Sequence, residues 1–276
     1  MYSGTTFRVK SGRVMGVHQR IDRLARRELV QLLPKRQFFP NDHDILHFEG
    51  LNGPDGIKRK SPGQDEPWHY VDPTDHSDDN LRQMIRDHIH NLTVALAEDN
   101  QKRAAFEAAW MAHAITDGLT PAHHYPLEEK LEELRDGEGL ETRNTRRKKI
   151  LLPGKNRRHQ LRNNWEFWGA KGVMTTHVAF ELGIATTLAA GGRLPDCAPS
   201  SNDLVRVKND GVEPLFEEAL HRIAGMELYE EFSRSGWTRR LAHDTKQLLI
   251  PEIVRIVTLA WYESALAAGD KKAKKK

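Results

Sequence analysis

The chain has one cysteine, Cys197, in 276 residues. No internal disulfide can form, and nothing implies an oxidising compartment. Cys197 lies between Pro195 and Pro199 with no histidine in a nucleophile–base pattern around it, which argues against thiol catalysis. No apolar run approaches the roughly 18 residues of a membrane-spanning helix. The opening stretch MYSGTTFRVKSGRVMG has no apolar h-region and does not read as a signal peptide. The expectation is a cytoplasmic protein, with a secreted mature form as the alternative. Alternating strand patterns and internal repeats are absent, as are a phosphate loop and a Gly-x-Ser-x-Gly elbow. Their absence excludes the common serine hydrolases and phosphate-loop nucleotide binders.

What is present is helical periodicity. The chain is 38% hydrophobic and 29% charged, enough for one large domain or two small ones. Ile21, Leu24, Ala25, Leu29 and Leu32 recur at helical spacing over residues 18–33, and Pro34 ends that run. Residues 34–76 read as loop. Ser77 then caps a helix carrying Leu81, Ile85, Ile89, Leu92 and Leu96. Further helices are expected at about 101–117, 124–135, 170–190, 212–224, 226–234 and 238–267. Pro251 should kink the last or mark a new start. Residues 136–163 read as a basic insertion, 195–203 as loop, and 271–276 as a disordered basic tail. The architecture expected is all-α: a single multi-helix domain over 1–270, with ligands projecting inward from facing helices.

The chemistry concentrates in two stretches, AAWMAHAITDGLTPAHH (108–124) and MTTHVAFELG (174–183). They read as H-x3-D-x5-H and H-x3-E. Positions i and i+4 lie one turn apart on a helix face, so His113 with Asp117 and His177 with Glu181 form two imidazole–carboxylate claws. Zinc takes that mixture of nitrogen and oxygen donors. Gly118-Leu119-Thr120-Pro121 breaks the helix, and His123 follows the corner, where it can face the same cavity. Either claw alone is a weak signal in a chain with 14 histidines. Both claws with a third histidine past a Gly/Pro break are harder to obtain by accident.

These segments resemble the zinc-dependent phospholipase C and fungal zinc nuclease superfamily, helical proteins that hydrolyse phosphate esters at a zinc cluster. AHAITDGLTPAHH is similar to the central family motif. The resemblance implies that His113 and Asp117 serve one metal, with Asp117 reaching a second, and that His123, His177 and Glu181 serve another. Trp68-His69-Tyr70-Val71-Asp72-Pro73 is similar to the family's His-aromatic-x-Asp-Pro stretch, making His69 a ligand candidate. Asp55, in Gly53-Pro54-Asp55-Gly56, matches an upstream aspartate that serves as ligand and water-activating base, with Asp42, Asp44 and Asp65 as competitors. His18 resembles the family's N-terminal histidine. The implied cofactor is two or three zinc ions. The chain departs from the family by starting with Met1-Tyr2 instead of a ligating tryptophan, by the long stretch between His123 and His177, and by lacking an export signal.

A metal-activated water needs no serine or cysteine nucleophile. The expected activity is hydrolysis of a phosphodiester, with phospholipid slightly ahead of single-stranded nucleic acid as substrate. A third reading is a non-catalytic helical metal-binding or interaction module. Arg143, Arg146, Arg147, Lys148 and Lys149 open a basic run that continues through Lys155, Arg157, Arg158 and Arg162. It reads either as a solvated insertion or as a surface for a polyanion or anionic membrane. Trp165, Phe167 and Trp168 read as core packing or as a substrate platform. The sequence leaves the oligomeric state open.

Overall fold

The computed structural model describes residues 16–274 except 36, 57–69, 76, 78, 125, 126, 140, 141, 144 and 193. Every regular element among them is helical. In chain order these are α1 (Val17–Leu32), α2 (Asp42–Leu46), α3 (Asn80–Ala97), α4 (Gln101–Gly118), α5 (Leu127–Leu134) and α6 (Arg146–Ile150). They continue as α7 (Arg157–Trp168), α8 (Val173–Ala189), α9 (Ser201–Asp210), α10 (Glu213–Ala224), α11 (Leu228–Ser235), α12 (Arg239–Asp244) and α13 (Ile250–Lys274). The periodic runs fall where the spacing of apolar residues predicts. No strand occurs among the described residues.

The centre is a bundle of α1, α3, α4 and α13. α1 buries Ile21, Ala25 and Leu29, one turn apart along a single stripe. α4 contributes Ala104, Ala105, Ala108, Ala109 and Ala112, all buried, and so lets its neighbours approach closely. Across that small-residue face the indole of Trp261 on α13 donates to the Ala108 carbonyl at 3.0 Å. A second, smaller core gathers Leu131, Leu134, Leu152 and Phe167, with Tyr70, Val173 and Met174 against it.

Several boundaries differ from the sequence reading for identifiable reasons. Ser77 does not cap α3: its hydroxyl donates to Asp75 at 2.7 Å, and Asp79 occupies the cap position. Within 34–76, Asn41 caps the short α2 by accepting from the Asp44 amide. The expected loop at 195–203 ends early, because Ser200 and Asp203 form a reciprocal capping box that starts α9. Pro251 has no amide hydrogen for the preceding turn, and Thr245–Leu249 widens there into a π turn before α13 begins. The basic 136–163 segment holds α6 and the start of α7, tied to the smaller core through Leu152. Residues 271–274 continue α13.

Candidate metal centre

α4 carries His113 and Asp117 on one face, and both are buried. Asp117 offers its two oxygens to different partners. Oδ1 lies 3.2 Å from His18 Nε2, and Oδ2 lies 3.2 Å from His113 Nε2. The His18 and His113 rings stack with centroids 3.9 Å apart and planes 7° from parallel. These three donors lie close enough to hold one metal ion. His18 reaches the group because it sits in the first turn of α1, whose apolar stripe packs against α4.

After Gly118 the chain turns through Thr120, whose hydroxyl donates to the Thr116 carbonyl at 2.6 Å. Pro121–His123 forms a 3-10 turn that brings His123 back over Asp117, with Nδ1 3.9 Å from Oδ2. His123 Nε2 and His177 Nε2 converge on Glu181 Oε1, at 3.1 and 3.0 Å. His123, His177 and Glu181 form a second group able to hold a metal ion. The amide of Val71 donates to the His123 carbonyl at 3.1 Å. That bond sets the Tyr70 ring against His123, with centroids 5.2 Å apart.

Asp55 lies with its Oδ1 4.0 Å from His113 Nε2, at the edge of the first group. Gly53 makes that approach possible. A Cβ there would stand 2.7 Å from the Phe48 carbonyl oxygen and 2.9 Å from Glu49 Cα. His69, and Asp65 among the competitors of Asp55, lie outside the described residues. Asp42 and Asp44 sit on α2, where Asp44 Oδ2 accepts from the side-chain amides of Asn41 and Gln101 at 2.9 and 2.6 Å. His124 is turned away and donates to the Gly118 carbonyl at 2.8 Å.

The expected substrate platform divides. Phe167 is fully buried, whereas Trp165 and Trp168 are exposed. Arg147 and Lys148 are exposed on α6, and Arg146 belongs to the same short helix. Phe167, Trp165, Trp168, Arg147 and Lys148 have no hydrogen bond or ring contact to the two histidine groups among the described residues. The link between the two regions is Tyr70, which packs against the smaller core and against His123 and His177.

Two acids escaped the sequence reading. Glu49 is buried and accepts from His113 Nδ1 at 3.4 Å. That bond leaves Nε2 of the same ring facing Asp117. Asp22, one turn after His18, is buried as well. Glu49 Oε1 and Asp22 Oδ2 have no hydrogen-bond partner among the described residues. The His18-x3-Asp22 spacing was a visible signal; Glu49 had none, because it comes from a distant loop.

The electrostatics are those of a carboxylate-rich pocket holding imidazoles. Burial works to lower the His113 pKa, but Asp117 and Glu49 beside it outweigh that and hold it at about 10. Burial works to raise Asp117, yet the imidazoles of His123, His113 and His18 contribute to keeping it well below the usual carboxylate range. Glu181 behaves the same way: burial opposes ionisation, and His177 and His123 favour it. Burial pushes Asp22 well up, and the neighbouring Glu49 adds to the effect. His124 is lowered to about 4, chiefly by burial. The donor set fits a divalent metal: imidazole nitrogens, the Asp117 and Glu181 carboxylates held ionised, and buried oxygens of Glu49 and Asp22 with no hydrogen-bond partner among the described residues.

No protein-family model matches the chain, and no curated protein does. Among solved structures the chain is similar to the alpha-toxin of Clostridium perfringens isolated from an avian strain. The identity is 13% and the TM-score 0.58, over 93% of this chain and 64% of that one. The chain therefore spans 64% of the length of that protein. At this identity the likeness establishes a shared fold.

Proposed function

We propose that the protein is a zinc-dependent phosphoesterase that hydrolyses phosphodiesters in the manner of a phospholipase C. The observation that carries this reading is the placement of Asp117. One carboxylate faces His18 and His113 directly and His123 at longer range, so it can be shared between neighbouring metal positions. The motif resemblance and the fold shared with alpha-toxin support the same reading. His18, His113 and Asp117 would hold one zinc, and His123, His177 and Glu181 another, with His69 a further ligand. Zinc bound there would bring the pKa of a bound water toward neutrality and polarise a phosphoryl oxygen.

The protein's own groups have distinct tasks in this reading. Glu49 fixes the His113 tautomer by accepting from Nδ1. Asp55, half-buried at the edge of the first group, takes the proton of the attacking water. Tyr70 closes the side of the second group and limits how His123 and His177 can rotate.

A single-strand-type nuclease is the second reading, favoured by the exposed Trp165 beside basic residues of α7. Zinc-loaded wild type and His113→Ala should be compared on a short soluble phosphodiester, phosphatidylcholine and single-stranded DNA. The proposal expects hydrolysis of the first two and its loss in a folded His113→Ala. DNA as the sole substrate supports the nuclease instead, and full activity in the variant rejects the assigned centre.

A further inference from the structure

α7 is inverted for a surface helix. Its inward side carries Asn163 and Phe167, both buried. Asn163 donates to the carbonyls of Leu134 and Pro153 at 2.7 and 3.0 Å, which fixes which side faces in. Leu161, Trp165 and Trp168 follow at i, i+4 and i+7 and lie on the outward side. Leu161 is 71% exposed and Trp165 73%. Trp168 donates through its indole to the Ile150 carbonyl at 2.7 Å, which extends the apolar surface to exposed Ile150 and Leu151.

Apolar side chains this exposed, and aligned on one helix face, mark an interaction surface and not scattered surface chemistry. Arg157, Arg158 and Arg162 border the stripe on α7. They are exposed and have no ion-pair partner among the described residues. Lys155 nearby shares Asp136 with His159. An apolar stripe with tryptophan, edged by free guanidinium groups, matches a helix that lies in the headgroup boundary of a bilayer.

We propose that the outward face of α7, with the end of α6, docks the protein on an anionic phospholipid surface. Leu161, Trp165 and Ile150 enter the acyl boundary, and Arg157, Arg158 and Arg162 meet lipid phosphates. Aliphatic side chains decide for lipid over nucleic acid, because they gain nothing against a phosphate backbone. α7 packs directly on α8, the helix that carries His177 and Glu181. On α8 the residues next to them, Val178 and Leu182, are exposed too. The proposed docking face thus borders the helix that supplies the second metal group. This inference extends the phospholipase-like reading by naming the surface on which the protein works, but docking itself needs neither metal nor turnover.

The test is sedimentation with vesicles of phosphatidylcholine alone and with phosphatidylserine added, in the presence of a chelator so that hydrolysis plays no part. Brominated acyl chains supply a second readout by quenching tryptophan. Wild type should bind the serine-containing vesicles, with quenching, and binding should weaken with added salt. Leu161→Ser with Trp165→Ser should lose about tenfold or more in partitioning. R157Q/R158Q/R162Q should lose its preference for phosphatidylserine. Both residue sets are on the surface, and an unchanged melting curve checks their fold. The proposal is overturned if wild type fails to bind either vesicle. It is equally overturned if the serine variants bind as wild type does, if only single-stranded DNA is retained, or if the face mediates self-association that Leu161→Ser abolishes. None of these outcomes bears on whether zinc-loaded protein cleaves a soluble phosphodiester.

Discussion

His113 is held between two carboxylates, and its behaviour ties the site's electrostatics to its use. With a folded pKa of about 10 against an ordinary value of 6.5, the metal-free protein carries a proton on this imidazole at neutral pH. That raised pKa contributes stability that is fully present below about pH 6.5 and is lost as pH rises through about 10. A metal must displace the proton. Calorimetry of zinc binding at pH 7 in buffers of different ionisation enthalpy should therefore show net proton release, and affinity should strengthen as pH rises. Binding without proton release would contradict the arrangement. The same ring yields a second prediction. Glu49→Gln should weaken zinc binding by about tenfold or more, measured by competition with a chromophoric chelator. His113, Asp117, His123, His177 and Glu181 were legible because helical spacing displays a claw within one short segment. Glu49 was not, because the bond to His113 depends on a loop fold over Gly53 that no local pattern encodes.

At the scale of elements, α8 must hold its two donors in register while packing against Trp237. Gly183 lies two residues after Glu181, and a Cβ there would fall 2.2 Å from the Trp237 ring. The indole is fixed by its bond to the Thr187 hydroxyl at 2.9 Å and by ring contacts with Phe180 and Phe232. Gly183→Ala should destabilise the protein by about 1–3 kcal/mol, read from denaturant unfolding. An unchanged midpoint would mean that α8 and Trp237 pack more loosely than described. The helices with clean apolar stripes, α1, α3 and α13, were visible in the sequence for the same reason that they are stable: burial repeats every turn. The ends were less visible. Ser77 was bound elsewhere by Asp75, and a capping box at Ser200 started α9 within an apparent loop. On α7 the aromatic run divides between the two readings open to it. Phe167 packs in the core beside Asn163, which anchors the inner side, and Trp165 faces outward.

Taken whole, the molecule is a helical bundle with buried histidines and carboxylates where a core would ordinarily be apolar. Taking such groups out of water costs stability. A bound metal should offset that cost, since a ligand that binds only the folded state stabilises it by mass action. Chelation should lower the melting temperature, and added zinc should restore it; equal melting with and without metal would remove that coupling. None of the helices described is long and apolar enough to cross a membrane. The all-helical class followed from periodicity alone, whereas the convergence of α1, α4, the 3-10 turn and α8 on one cluster is a property of the tertiary fold. The most direct test is elemental analysis of protein purified without chelator or affinity metal, for wild type and His177→Ala. The account predicts at least two zinc equivalents in wild type, one for each donor group, and fewer in the variant. No metal in either protein after zinc reconstitution would contradict it.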